Sequence, residues 1–87
     1  MLILWCSVYE NNRIKLQKKT VSEQSDLNDA FIECLNDACK TFDISMPLWH
    51  TKHTKQLSQF RKIVFLKDDF IDKMPYDRFV VEVLEND

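Results

Sequence analysis

Two cysteines and two histidines are of the residue types that bind zinc. Structural zinc sites use paired ligands, typically Cys-x₂₋₄-Cys followed by His-x₃₋₅-His. Here four residues separate Cys34 from Cys39, the upper limit of that spacing, and only two separate His50 from His53. On a helix the two cysteines would be about 500° of rotation apart, so their side chains would diverge by roughly 140°. We therefore interpret both cysteines as core residues and expect neither a metal nor another cofactor.

Catalysis through a cysteine or a carboxylate has little support in the sequence. A reactive thiol needs a neighbouring base or a helix N-terminus, whereas Cys39 falls near the C-terminal end of a predicted helix, where the dipole raises a thiol pKa. Asp68, Asp69 and Asp72 form an acidic cluster, but it has neither the EF-hand spacing nor the glycine of a calcium loop. We predict that the protein is not an enzyme and infer no small-molecule substrate.

Length and composition limit the architecture. The 87 residues contain twelve Lys and Arg, fourteen Asp and Glu, and no glycine. A chain this short buries only about 60% of the surface that its unfolded form exposes, which suffices for one core. The lack of glycine excludes the Gly-rich loops that cradle phosphates. We predict a single domain over residues 1–87.

The compartment is inferred from the N-terminal segment and the cysteines. Residues 1–9 are largely apolar but have no basic leader and no cleavage site of a signal peptide. No segment approaches the roughly 18 apolar residues of a membrane-spanning helix. Three cysteines in apolar patterns are typical of reduced, buried thiols. We therefore expect a cytoplasmic protein without membrane contact.

The first 21 residues predict a β-hairpin around Glu10-Asn11-Asn12. The loop length decides which side chains face inward, because a shift of one residue exchanges the two faces. A two-residue loop would place Trp5 and Tyr9 beside Ile14 and Leu16. A three-residue loop would instead place the even-numbered apolar residues there, and it separates apolar from polar side chains more cleanly. We prefer this second register, which leaves the odd-numbered residues with polar neighbours, namely Arg13, Lys15 and Gln17.

The rest of the chain predicts two helices followed by two strands. Apolar residues recur at helical spacing over 22–44, with Ser25 or Asp26 as N-cap, and again over 52–60. Apolar or alternating runs over 62–67 and 78–85 indicate strands. The order ββααββ predicts an α+β fold: a single domain with a mainly antiparallel sheet of about four strands and two helices packed on one face. The predicted core comprises Leu4, Cys6, Val8, Ile14, Leu16, Leu27, Phe31, Leu35, Phe42, Leu57, Phe60, Phe65, Phe79, Val81 and Val83.

Charge alternates in blocks along the chain. Residues 11–22 and 44–67 carry only basic charges, whereas acidic residues dominate 23–43 and 68–87. If the second strand lay near the second helix, the two basic blocks would form one patch. That patch would contain Arg13, Lys15, Lys19, Lys52, Lys55, Arg61 and Lys62.

These features favour a surface that contacts a macromolecule. An open sheet face with Trp5 and Tyr9, or an edge strand with unpaired backbone groups, would suit a protein partner or a second copy of the chain. The alternative is a single-stranded nucleic acid, bound by aromatic platforms and basic side chains. The pI near 5.6 and the absence of an RNP sequence argue against it, so we favour a protein partner. The candidate interaction face consists of Trp5, Tyr9, Arg13, Lys15, Arg61 and Lys62.

One resemblance covers nearly the whole chain. Its residues are Trp5, Asn12-Arg13-Ile14, the stretch from Glu33-Cys34-Leu35 to Phe42-Asp43-Ile44, Pro47-Leu48-Trp49, Phe70-Ile71, Asp77-Arg78-Phe79 and Glu82-Val83. By these residues the chain resembles a group of small uncharacterised proteins from anaerobic Gram-positive bacteria. The resemblance implies a single cytosolic domain and transfers no active site. Members of the group tend to have glycine where this chain has Cys6, which implies no shared role for that thiol.

Overall fold

Four strands and two helices follow one another in the predicted order. The structure is a computed structural model that describes residues 1–86. The elements are β1 (Leu2–Glu10), β2 (Arg13–Ser22), α1 (Leu27–Phe42), α2 (Thr51–Phe60), β3 (Lys62–Leu66) and β4 (Arg78–Asn86), with a 3-10 turn at Lys67–Asp69.

The four strands form one antiparallel sheet in the order β2-β1-β4-β3. Helix α1 packs over β1 and β2, and α2 packs over β3. The even-numbered residues of β1 and the odd-numbered residues of β3 and β4 join the buried side chains of α1 in one core. The predicted α+β fold, with both helices on one face of an antiparallel sheet, is confirmed.

The β1–β2 hairpin combines features of both predicted registers. Asn11 and Asn12 form a two-residue turn, each with positive φ (54° and 63°), which is the backbone of a type I′ hairpin turn. Beyond the turn, Tyr9 pairs with Ile14 and Val8 with Leu16, so one residue of β2 is bulged. The prediction of a three-residue loop was wrong. The bulge nevertheless places Leu16 opposite Val8, on the inward side of the sheet, as the three-residue loop had predicted.

Helix α1 begins and ends with aspartate caps. The Asp26 carboxylate accepts a hydrogen bond from the Asp29 N–H at 3.1 Å, which satisfies one of the free donors of the first turn. Asp43 closes the helix in the left-handed region, at φ 56° and ψ 48°, where glycine is the usual residue. Seven buried residues attach the helix to the sheet: Ala30, Phe31, Cys34, Leu35, Ala38, Cys39 and Phe42.

Helix α2 is held by few buried contacts. His53 is its one fully buried residue, and Leu57 packs partly against the core. Phe60 was predicted to face inward with them but is 68% exposed. The reason is that the helix ends there: Arg61 adopts a left-handed conformation (φ 55°) and directs the chain into β3.

Of the predicted core, four residues are exposed, Leu57 and Val83 are partly buried, and the rest are buried. Ile14, Leu16, Leu27 and Phe60 were placed in the core and are exposed. Ile14 pairs with Tyr9 on the sheet surface that faces away from the helices, and Leu16 lies near the turn end of the edge strand β2. Leu27 is the first residue of its helix. Buried side chains that the predicted core did not include are, among others, Leu2, Ala30, Ala38, His53, Ile63, Asp69, Phe70, Met74 and Val80.

The two basic blocks do not form one patch. Strands β2 and β3 are the opposite edges of the sheet, and α2 packs over β3. Each basic block instead neighbours the acidic block that follows it. Lys18 Nζ lies 3.0 Å from Asp37 Oδ1, and Lys52 Nζ lies 3.1 Å from Asp69 Oδ1. Basic and acidic blocks that follow one another in the sequence therefore form ion pairs within the fold.

Within residues 1–86, no helix combines the length and the apolar character needed to cross a bilayer.

Candidate functional site

The sheet surface opposite the helices, here called the open face, is the candidate interaction site. Its side chains follow from the register of the four strands. Trp5 pairs with Lys19 of β2 and with Glu82 of β4, and Glu82 pairs with Lys62 of β3. These residues form one row across the sheet. The next two rows are Gln17, Ser7, Val80 and Val64, and then Ile14, Tyr9, Arg78 and Leu66.

The open face is predominantly apolar. Trp5 and Tyr9 are half-buried at its centre. Ser7 and Val80, in the row between them, are buried. Toward the edges, apolar side chains are exposed, including Leu66 at 48%. The apolar members of the face are Ile3, Trp5, Tyr9, Ile14, Val21, Val64, Leu66 and Val80. Exposed apolar side chains on a sheet surface make this face the candidate interaction site.

Charged groups are built into this apolar surface. The Arg78 guanidinium carbon lies 4.1 Å from the centroid of the Tyr9 ring, a cation–π contact. The same guanidinium donates a hydrogen bond to Asn12 Oδ1 at 3.3 Å. Glu82 stands two rows away on the same strand, next to Trp5. The face therefore presents one acidic and one basic side chain at defined positions of its central strand β4.

Three of the six predicted interaction residues share the open face: Trp5, Tyr9 and Lys62. Arg13 pairs with Glu10 and so points to the other side of the sheet. Lys15 is the bulged residue of β2, and its Nζ lies 3.9 Å from Glu10 Oε1.

Arg61 also lies away from the open face, because it is the C-cap residue of α2. The predicted interaction face omitted Lys19, Arg78 and Glu82, although Lys19 was part of the predicted basic patch. Their alternation within a strand was visible in the sequence, but the strand order that places them beside Trp5 and Tyr9 was not.

The two edges of the sheet are less suited to docking than its face. On the edge strand β3, the Val64 N–H donates to Gln56 Oε1 at 2.9 Å. The Leu66 N–H donates to Asp69 Oδ2, also at 2.9 Å. Side chains thus occupy two backbone donors that another strand would use. The opposite edge strand, β2, carries four cations, a common protection against strand pairing: Arg13, Lys15, Lys18 and Lys19.

A buried polar cluster joins α2 to the turn after β3. His53 Nε2 lies 3.3 Å from Asp69 Oδ2, and the His50 backbone N–H donates to His53 Nδ1 at 2.9 Å. The second hydrogen bond assigns Nδ1 as acceptor and Nε2–H as donor, hence a neutral imidazole. Lys52 Nζ lies 3.1 Å from Asp69 Oδ1.

The protonation states in this cluster follow from burial and hydrogen bonding. Burial lowers the pKa of His53, and this outweighs the opposing influence of Asp69. Burial alone would raise the pKa of Asp69, but the Leu66 N–H and the Lys52 ammonium more than compensate, so the pKa lies below its ordinary value. Because both ring nitrogens of His53 are engaged and the residue is 0% exposed, the arrangement positions a helix and offers no free base to a substrate.

The three cysteines are free and buried. Burial raises the pKa of Cys6 to about 12 and that of Cys39 to about 11, and it also raises the pKa of Cys34. A thiol of such high pKa is protonated at neutral pH, whereas the thiolate is the nucleophile. The prediction that the cysteines belong to the core is confirmed.

Comparison with known proteins adds no relative. No family model, no curated protein and no solved structure matches the chain. The resemblance to small proteins of anaerobic Gram-positive bacteria therefore stays a prediction.

Proposed function

We propose that the protein is a non-catalytic interaction module whose open face receives a protein partner. The observation that carries the proposal is an uncovered, predominantly apolar sheet surface with Trp5 and Tyr9 at its centre. Aromatic residues at the centre of an apolar patch, surrounded by polar groups, are typical of the residues that dominate binding energy in protein interfaces. Occupied donors on one edge of the sheet and the cations on the other favour its face over its edges as the docking site.

A single-stranded nucleic acid suits the same face less well. Such ligands stack their bases on free aromatic surfaces while cations track the phosphates. Here the Arg78 guanidinium already lies over the Tyr9 ring, and the Glu82 carboxylate is next to Trp5. The two basic blocks, which would have formed a phosphate track, lie at opposite edges of the sheet. A protein surface with both charge signs matches this face better.

The proposed compartment is the cytoplasm. The three cysteines are free and buried in one core. Reduced thiols of this kind persist where glutathione and thioredoxin maintain a reducing environment.

A photo-crosslinking experiment in the cells that make the protein tests the proposal. A photoreactive amino acid at Leu66, on the open face, is compared with the same residue at Ile71, which is 81% exposed in the loop between β3 and β4. We expect a discrete protein adduct from position 66 and none from position 71. Equal adducts from both positions, or none from position 66, would refute docking on the open face.

A further inference from the structure

We propose that the partner on the open face is a second copy of this chain, related by a two-fold axis that crosses the strands at the row of Ser7. This inference rests on the proposed function and names the partner. In the dimer, Trp5 of each copy lies over the Tyr9–Arg78 pair of the other, and Glu82 of each copy faces Arg78 of the other. The interface is therefore self-complementary, as a two-fold interface requires.

The register of the sheet carries the inference. Trp5 and Glu82 occupy the row on one side of Ser7, and Tyr9 and Arg78 occupy the row on the other side. Consider a two-fold axis that lies between the two faces, parallel to the sheets, and runs across the strands along the Ser7 row. It places β1 over β1 and β4 over β4 and exchanges these two rows. Each acid then meets a base, and each tryptophan meets a tyrosine.

The central row suits the position on the axis. It contains Gln17, Ser7, Val80 and Val64, which are uncharged and can meet their own copies without repulsion. The strands of the two sheets then run nearly aligned, as in face-to-face sheet packing.

Other two-fold arrangements of the same face are less favourable. An axis through the Trp5 row would place Glu82 against its own copy, and like charges at an interface are strongly unfavourable. An axis parallel to the strands, between β1 and β4, would exchange the two edge strands. It would then place Lys19 against Lys62, again two like charges, and Trp5 against a carboxylate. The chosen axis avoids all of these contacts.

The size of the face indicates a weak dimer. Four strands about 4.8 Å apart, over seven residues with a rise of about 3.4 Å each, give roughly 450 Å² per copy. Two such faces fall at the small end of specific interfaces. We therefore expect self-association at micromolar to submillimolar concentration, in which Glu82 and Arg78 select the orientation.

A charge exchange tests this arrangement with purified protein. Glu82→Arg alone would place two bases against each other, and Arg78→Glu alone would place two acids against each other. We expect sedimentation velocity to show at least about tenfold weaker self-association for each variant. An equimolar mixture of the two variants has both charge pairs restored, so it should form a mixed dimer. Lys40→Glu on the outer face of α1 is the control and should associate like the parent chain.

The outcomes separate this inference from the proposed function. A mixed dimer from two self-repelling variants supports the two-fold arrangement. A parent chain that stays monomeric at submillimolar concentration refutes the second copy, while the crosslink from position 66 still decides whether another protein docks there. A dimer that the single exchanges leave unchanged refutes the pairing of Glu82 with Arg78.

Discussion

His53 Nε2 lies 3.3 Å from Asp69 Oδ2, and both residues are shielded from solvent. This hydrogen bond links α2 to the turn that follows β3. The His53 ring also lies 4.5 Å from the ring centroid of Phe65, so the imidazole is at once a polar link and part of the aromatic core. Because α2 buries little else, its position depends on the neutral state of one histidine.

Stability should therefore fall as the pH is lowered through the histidine range. Burial lowers the pKa of His53 from 6.5 in the folded state, so folding favours the neutral ring. The stabilisation that neutral His53 contributes is complete above pH 6.5. It is lost as the pH falls through the pKa of His53 in the folded state. The pKa of Asp69 is also lowered from 3.8, which adds a second loss at lower pH.

Urea unfolding between neutral and acid pH measures this dependence. His53→Asn keeps an acceptor near the Nδ1 position but cannot titrate, so its stability should change less over the histidine range. An equal slope in the parent and His53→Asn would contradict the role of His53.

The Asp69 carboxylate should contribute more to the free energy of unfolding than the carboxylate of Asp68 on the same turn. It accepts hydrogen bonds from the Leu66 N–H at 2.9 Å and lies 3.1 Å from Lys52 Nζ. Hydrogen bonds to a buried charged group contribute about 1.5–3 kcal/mol each, so Asp69→Asn should cost about 2–3 kcal/mol. The matched control Asp68→Asn changes an exposed residue and should cost less than about 0.5 kcal/mol. Similar losses for both variants in chemical denaturation would contradict this assignment.

The left-handed conformation of Arg61 predicts a stabilising substitution. A non-glycine residue in this region costs about 1–2 kcal/mol, partly offset by the greater freedom of glycine in the unfolded chain. Arg61→Gly should therefore raise the free energy of unfolding by about 0.5–1 kcal/mol. Lys55→Gly, inside α2, should lower it by about 1 kcal/mol. Thermal unfolding of the two variants should show Tm shifts of opposite sign.

The cysteines should react with a thiol reagent only when the protein opens. Cys6 is 0% exposed, and its pKa of about 12 leaves almost no thiolate at neutral pH. We expect slow reaction in buffer and rapid reaction in denaturant. A destabilising variant such as Asp69→Asn should react faster in buffer, because opening limits the rate. Rapid modification of the folded parent chain would show that at least one thiol is accessible.

The sequence predicted the elements better than the contacts among them. The strong helical spacing of α1 and the alternation in β1 and β4 determine element type and inward face locally. The hairpin register depends on one bulged residue, Lys15, which has no separate signal in the sequence. The inward placement of Phe60 failed because helical periodicity does not show that Arg61 ends the helix.

The candidate site was only partly visible for a similar reason. Trp5 and Tyr9 were identified as surface aromatics, since their residue type and spacing along one strand suffice for that. Arg78 and Glu82 join them through the pairing of β1 with β4, two strands separated by both helices in the sequence. Long-range strand order is set by the packing of the whole core, which local patterns do not encode.

The two-fold dimer through the open face is tested most directly by the solution mass of Trp5→Ala. Light scattering over a concentration series should show the parent chain passing from monomer to dimer, whereas Trp5→Ala should stay monomeric. Circular dichroism should show that the variant retains its fold. Ile71→Ala, which removes an exposed apolar residue away from the open face, should dimerise like the parent. A Trp5→Ala chain that dimerises as strongly as the parent, or a parent that stays monomeric throughout, would contradict a two-fold interface on this face.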